Sequence, residues 1–289
     1  MRSELEQQFQ EKVYYENVPQ PFNYTMFDFL IQPTFNDSVY CPHVPVFYII
    51  RSHPNRTDER AFIRSTWASN LRNSVIFALG RSGPLDVHRK VLRESRIYHD
   101  LLVIDMIDTY RNLSIKSVAI LRWVAEFCNA PRFFFQGDPD VAIFTTSITA
   151  FLGVKDSRQP RIYGYCWPRA YVFRNDESKW KMNHSVYSSI TYPRYVAGGA
   201  WMFSPSVPAK LLEALVVPRP YFHVDDVLIS GILAERADIP RECIRNVGYP
   251  DEFMDVNKCR NPPILAIFQL DRTRIIEALS SVRQGTGLC

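Results

Sequence analysis

FFFQGDPDVAIF, residues 133–144, brings a wholly apolar run directly up to two carboxylates. Phe133, Phe134 and Phe135 have the character of a buried strand. Gln136 and Gly137 follow, then Asp138, Pro139 and Asp140, and apolar residues resume at Val141. A strand that is apolar on both faces belongs inside a sheet covered on both sides. Ligands of open α/β sheets bind just past the carboxyl ends of such strands. Two unpaired carboxylates are not core residues, because burying an unpaired charge is very costly. At i and i+2 they can share a hard divalent cation, which can in turn hold a diphosphate. Pro139 fixes its own φ and offers no N–H, so it stiffens the turn without touching a ligand. Asp, Pro and Gly are also ordinary turn residues. The spacing alone does not separate a plain acidic turn from a cation site.

Outward from this stretch, similar strands recur. VPVFYII (44–50) is a short apolar run rich in β-formers. SVIFAL (74–79), closed by Gly80, LLVID (101–105) and RFFFQ (132–136) continue the series. Between them, Thr57 or Asp58 can cap a helix covering Glu59 to Trp67, and residues 85–99 are helix-compatible. Asn112 can cap a helix with apolar positions Leu113, Ala119 or Ile120, Trp123, Val124 and Phe127. This alternation predicts an α/β layer with a mostly parallel central sheet flanked by helices. Beyond residue 155 the pattern is less regular. RIYGYC (161–166) and AWMFS (200–204) read as strands, Ser204 or Ser206 opens a helix to about Leu215, and Asp225 opens another to about Ala237. Residues 1–43 are polar, with scattered Pro and Asn, and read as a stem or loosely packed lead-in.

The chain has 289 residues, 46% hydrophobic and 13% aromatic, enough for a real core. A net charge of +4, from 34 basic and 30 acidic residues, is too balanced to argue for nucleic acid. The cysteines at 41, 128, 166, 243, 259 and 289 form no C-x-x-C pair, which speaks against zinc. Their even count fits disulfides, and free buried thiols fit it too. Five N-x-S/T sequons begin at Asn23, Asn36, Asn55, Asn112 and Asn183 and together point to a glycosylated, lumenal protein. The opening MRSELEQQFQEK has no apolar core of signal-peptide length and no membrane span. The expectation is a chain lacking its anchor, or sequons that go unused.

Further segments narrow the reading. Residues 60–67 are RAFIRSTW, residues 77–80 FALG, and residues 94–116 ESRIYHDLLVIDMIDTYRNLSIK. Trp123, Cys128 and GDPDV follow, then YPRYVAGG (192–199) and Asp225-Asp226-Val227. In this order and spacing, from about residue 45 to 270, the chain resembles glycosyltransferase family 31. That family holds inverting β-1,3-galactosyltransferases and β-1,3-N-acetylglucosaminyltransferases. The resemblance implies one nucleotide-diphospho-sugar transferase domain of the GT-A type, residues 44–289. It also implies a UDP-sugar donor, a glycan or glycoprotein acceptor, a divalent metal (Mn²⁺ or Mg²⁺) and the lumenal side of the Golgi. Membrane association is expected only through an anchor that this chain does not contain.

By the same resemblance, Asp138 and Asp140 would serve the metal, with Asp138 also beside the ribose. Arg60 and Arg64 would lie near the nucleotide, where an arginine fork suits phosphate; a helix-surface ion pair is the other reading of Arg64. Lys116 and Asp105 would serve the substrate, or sit on a solvated helix face and in a loop turn. Asp226 would be the general base that takes the proton of the attacking hydroxyl. Asp225, beside it, would touch substrate or cap the helix. Gly198 and Gly199 permit close approach of backbone to a sugar, and equally suit a turn leading into a strand. Trp167, Tyr195 and Trp201 can stack on sugars, though most aromatics are core.

Three departures stand out. The family's Y-C-S-G-G becomes Tyr195-Val196-Ala197-Gly198-Gly199. The middle Asp of its acidic triplet is Pro139. Its V-H-Q becomes Ile267-Phe268-Gln269, so Phe268 replaces a histidine expected to ligate metal, with Asp251 and Asp271 as nearby substitutes. The sequence is compatible with an active transferase or with a weakened relative that only binds nucleotide sugar or glycan; carboxylates two residues apart at a turn speak against a two-carboxylate glycosidase.

Overall fold

The computed structural model describes residues 22–284 except 37, 39, 82, 216–219 and 254–262. Its centre is an eight-stranded sheet in the order β1-β4-β3-β2-β5-β8-β7-β9. The strands are β1 (Phe29–Ile31), β2 (Phe47–Arg51), β3 (Val75–Arg81), β4 (Leu101–Ile107), β5 (Phe134–Gly137), β7 (Ile162–Trp167), β8 (Tyr195–Phe203) and β9 (Arg241–Cys243). β4, β3, β2 and β5 run parallel, as do β7 and β9, while β1 and β8 run against their neighbours. The expected mostly parallel sheet flanked by helices is therefore present.

The alternation of side chains explains why both faces are covered. Phe47, Ile49, Ile76, Ala78, Leu102, Ile104 and Phe134 join one core, with Ile115, Ile120 and Trp123 of the helix Leu113–Phe127. Tyr48, Ile50, Phe77, Leu79, Val103 and Phe135 join another. There they meet Ile63 of the helix Thr57–Ser65, Val91 of Leu85–Tyr98 and Ile148 of Thr145–Gly153. Strands buried on both faces read as continuous apolar runs, as these do.

Several boundaries differ from those expected. The lead-in is not loose where the structure describes it: Phe22, Tyr24, Phe27 and Phe35 are buried in the core and β1 pairs with β4 at the sheet edge. Packing therefore begins well before Val44; residues 1–21 lie outside the described ones. Neither Thr57 nor Asp58 caps its helix, which starts at Thr57 without a side-chain cap. Asn112 does not cap the following helix either, because its amide donates to the Ile107 carbonyl at 2.8 Å. The strand expected at 200–204 begins earlier, at Tyr195, so Gly198 and Gly199 lie within it rather than in a turn. The helix expected from Asp225 is π-helical over Val227–Leu233, a form found often at functional sites.

Two features tie the periphery down. Cys41 bonds Cys128, fixing the N-terminal segment to the end of a core helix, and Cys166 bonds Cys243 across β7 and β9. Cys259 and Cys289 lie outside the described residues. A second sheet orders β10 (Val247–Gly248), β11 (Ala266–Ile267) and β6 (Ala142–Ile143), the last directly after the acidic turn. Among the described residues no helix is long and apolar enough to cross a membrane.

Arg60 and Arg64 belong to this framework. Arg60 is fully buried and meets both Glu94 oxygens, Nε to Oε1 at 2.8 Å and Nη2 to Oε2 at 2.6 Å. It also donates to the His53 carbonyl at 2.6 Å and the Ser52 hydroxyl at 3.0 Å. Arg64 takes Asp100 in a fork of two 2.7 Å bonds, with Tyr98 under its guanidinium. Replacing Arg60 by Met leaves Glu94 as a buried, half-paired charge. This should cost about 3–5 kcal/mol, measured as a lower denaturant midpoint at unchanged slope.

Candidate active site

The carboxyl ends of β2 and β5 and the start of β8 converge on one cavity of about 230 Å³. It is lined by Asp138, Asp140, Gly198, Gly199, Asp225 and Asp226 from the sequence reading. Arg51, Tyr110, Lys179, Trp180, His223 and Tyr249 join them, none of which that reading assigned. Phe268 and Gln269 complete the wall.

Arg51, the last residue of β2, sits at the centre. Its side chain is 3% exposed. Nε donates to Asp138 Oδ1 at 2.8 Å, Nη2 to the Gly198 carbonyl at 2.7 Å, and Nη1 to Asp225 Oδ2. Burial works against its charge, but Asp138, Asp225 and Asp226 outweigh that and hold it more firmly protonated than usual. One side chain thus joins β2, the acidic turn, β8 and the segment before the π-helix. Its sequence signal was the same as that of Asp138: a charge at the end of an apolar strand.

The carboxylates divide into two kinds. Asp138 and Asp225 are bound to Arg51, and Ser117 adds a 3.0 Å bond to Asp225. Burial, with Asp140 and Asp225 nearby, still pushes the Asp138 carboxyl up to about 6 against the pull of Arg51. Among the described residues Asp226 has no bond to an arginine. It accepts from Val227 N at 2.8 Å and Gly198 N at 3.3 Å, so Asp226 rather than Asp225 holds the helix start. Burial, then the neighbouring Asp225 charge, raises its carboxyl to about 7. Gly198 keeps this approach close, because a Cβ there would stand 3.3 Å from that of Asp226 and press on it.

Phe268 lies where the histidine was expected. Its N–H bonds Gly248 O at 2.9 Å, and its ring lies 3.3 Å from where a Gly199 Cβ would stand. Tyr249 meets it edge-on at 5.2 Å. Leu270 N bonds Asp140 O at 2.9 Å, so the second sheet and the acidic turn hold each other. The substitutes do not reach the cavity: Asp271 accepts from Arg274 N at 2.9 Å, and Asp251 lies in the helix Pro250–Phe253.

Four expected substrate residues stand outside the lining: Arg60 and Arg64 in the ion pairs above, and Lys116 and Asp105. Lys116 is buried between Asp108, at 2.7 and 2.9 Å, and the Ser52 carbonyl at 2.7 Å. Asp108 in turn accepts from Gly80 N at 2.6 Å. A buried ammonium keeps its partners, so Lys116 shapes the β2 and β3 ends instead of reaching a ligand. Asp105 pairs with Arg81 at 3.0 Å on the surface. Trp201 is core, while Trp167 stays partly exposed beside Tyr165.

Across the cavity, residues 168–194 form a long excursion between β7 and β8. Arg174 organises it by donating to the carbonyls of Met182 at 2.6 Å, Tyr187 at 2.7 Å and Ser189 at 2.9 Å. Trp180 from this excursion donates to the Tyr110 hydroxyl at 2.8 Å, closing the far wall.

Asp138 and Asp140 offer hard oxygen donors, one of them already shared with Arg51. Among the described residues no group of three or more His, Cys, Asp or Glu is arranged around a metal position. This set fits a cation held by one or two carboxylates, with phosphate and water filling the shell.

Replacing Arg51 by Met leaves Asp138 and Asp225 facing each other uncompensated. The expected loss is about 2–3 kcal/mol, below the full figure for a buried pair because a third of Asp138 remains open. A urea titration measures it, and Lys at this position should recover only part, having no fork to span both acids.

The Galactosyltransferase family model matches residues 58–245. β-1,3-Galactosyltransferase 1 of Mus musculus is 28% identical over 260 residues, 86% of this chain and 77% of that protein. N-Acetyllactosaminide β-1,3-N-acetylglucosaminyltransferase 4 of Homo sapiens is 30% identical over 190 residues, 64% of this chain and 50% of that protein. Among solved structures, the galactosyltransferase LgtC with donor and acceptor sugar analogues aligns at a TM-score of 0.40 and 10% identity, over 81% of this chain and 95% of that one. That structural likeness is too slight to support more. The family match spans the helix that carries Arg60, the acidic turn and Asp226 alike, and the chain belongs to the galactosyltransferase family, the glycosyltransferase family 31 that its motifs resemble.

Proposed function

We propose that the chain transfers galactose or N-acetylglucosamine from a UDP-sugar to a glycan hydroxyl, forming a β-1,3 linkage with inversion. The observation that carries this reading is Asp226. Its carboxyl, raised to about 7, makes no bond to arginine among the described residues, whereas Asp138 and Asp225 in the same cavity are bound to Arg51. A base with such a value is well matched to taking a proton near neutral pH. Asp226 accepts the acceptor's hydroxyl proton as that oxygen bonds the anomeric carbon. The bond from that carbon to the diphosphate oxygen breaks, and UDP departs with the electron pair. The two backbone N–H bonds to Asp226 aim its carboxylate, and Gly198 leaves room beside it.

A divalent cation, Mn²⁺ or Mg²⁺, would act as a Lewis acid towards the departing diphosphate; Asp140 and the second oxygen of Asp138 would hold it. With Phe268 offering no lone pair, the remaining ligands are all oxygen, which favours Mg²⁺ and weakens any preference for Mn²⁺.

Asp226→Asn should lower transfer about a hundredfold to ten-thousandfold with UDP affinity nearly unchanged. A base must be ionised, so wild-type transfer should rise with pH up to about 7 and then level off. Wild-type turnover by the Asn variant would place the base elsewhere, with Asp225 next in line.

We take the Golgi lumen as the working compartment. Two disulfides support this, as do the exposed sequon residues Asn23, Asn36, Asn55 and Asn183. Asn112 is 2% exposed and has no room for a glycan. In protein secreted from cultured cells, mass spectrometry after deglycosylation in heavy-oxygen water should mark sites among those four and none at Asn112.

A further inference from the structure

A departing diphosphate needs positive charge, and the basic residues that the family signature offers are committed elsewhere. Arg60, Arg64 and Lys116 are held in ion pairs outside the cavity. Within the lining, three side chains can be cationic: Arg51, His223 and Lys179. Arg51 directs all three of its nitrogens at Asp138, Asp225 and Gly198 O. His223 is held neutral, since burial and then the Arg111 charge pull its imidazole down to about 4.

Lys179 differs from both. It is exposed, on the excursion between β7 and β8. Among the described residues its ammonium has no hydrogen bond or ion pair within reach; it rests 4.8 Å from the Tyr110 ring centroid and 4.7 Å from that of Trp180. It lines the same cavity as Asp140. An ammonium lying on two ring faces near the acidic turn has three unspent donors. An exposed cation–π contact is weaker than charge-assisted hydrogen bonds to phosphate. A phosphate oxygen at the acidic turn therefore draws the ammonium off the rings.

We propose that Lys179 binds the β-phosphate of the donor nucleotide and receives the charge that develops there on departure. This rests on the transferase reading above. As the bond from the anomeric carbon to the β-phosphate oxygen breaks, the electron pair stays on that phosphate, and Lys179 donates a hydrogen bond to it without losing its proton. The excursion that closes the far wall thus also takes part in donor binding.

The test is calorimetry of the full chain with UDP and with UMP, each in magnesium buffer and in EDTA. Lys179→Met should weaken UDP about tenfold, the effect of losing one charge-assisted bond, and leave UMP within about twofold. Lys179→Arg should restore most of the UDP affinity. The melting temperature should stay near the wild-type value, since exposed contacts of the ammonium with the Tyr110 and Trp180 rings add little stability. Unchanged UDP binding in Lys179→Met, or equal losses for UDP and UMP, would overturn the assignment of Lys179 alone. Absence of UDP binding by the wild type would overturn the transferase reading itself.

Discussion

The active cavity depends on one buried guanidinium. Four carboxylates line a space of about 230 Å³, and like charges so close would raise one another's proton affinity until the site lost its charge. Arg51 prevents this by holding Asp138 and Asp225 in ion pairs. Asp226, outside those pairs, is pushed up to about 7, above the value of about 6 at Asp138. The same side chain fixes geometry, because its third nitrogen bonds the Gly198 carbonyl and so sets the residue whose N–H faces Asp226. Charge separation and positioning are therefore one device.

A second network explains the family signature. R-x-x-I-R and the later E-x-x-x-x-x-D read in sequence as separate features. In the fold they are partners: Arg60 and Arg64 meet Glu94, and Arg64 meets Asp100. Asp108 and Lys116 form the next pair along the same signature. Each pair braces a strand end or the backbone of Ser52 and His53. A substitution on either side would leave a buried charge alone, which ties the residue types together.

The fold was legible where apolar periodicity was strong. Strands β2 to β5 and the helices between them followed the predicted pattern, because burial on both faces leaves an unbroken apolar run. The acidic turn, the glycine pair and Asp225-Asp226 were grouped into one site by the family resemblance, since their residue types alone suit turns and caps equally well, and the fold lines one cavity with them. Arg60 was expected near the nucleotide, and Arg64 and Lys116 either there or in structural roles, because a basic residue reads alike whether it faces phosphate or a buried acid. Only partner geometry separates the two, and those partners lie between 8 and 36 residues away. The second sheet was hidden because its strands are two residues each. Lys179 and Trp180 carry no periodic signal at all, since they sit on an irregular excursion.

That excursion has an evolutionary implication. It leaves β7 and returns at β8, its turns are closed by Arg174 through its own carbonyls, and the Cys166–Cys243 bond anchors β7 outside it. It can therefore be lengthened, shortened or exchanged without disturbing the paired arginines or the Arg51 clamp on the other side of the cavity. A lineage built on this plan can vary the segment around a retained Lys179 while the Arg51 clamp and its carboxylates stay constant. Grafting the segment between relatives, with Lys179 kept in place, is accordingly an economical way to ask whether the same wall also selects the acceptor.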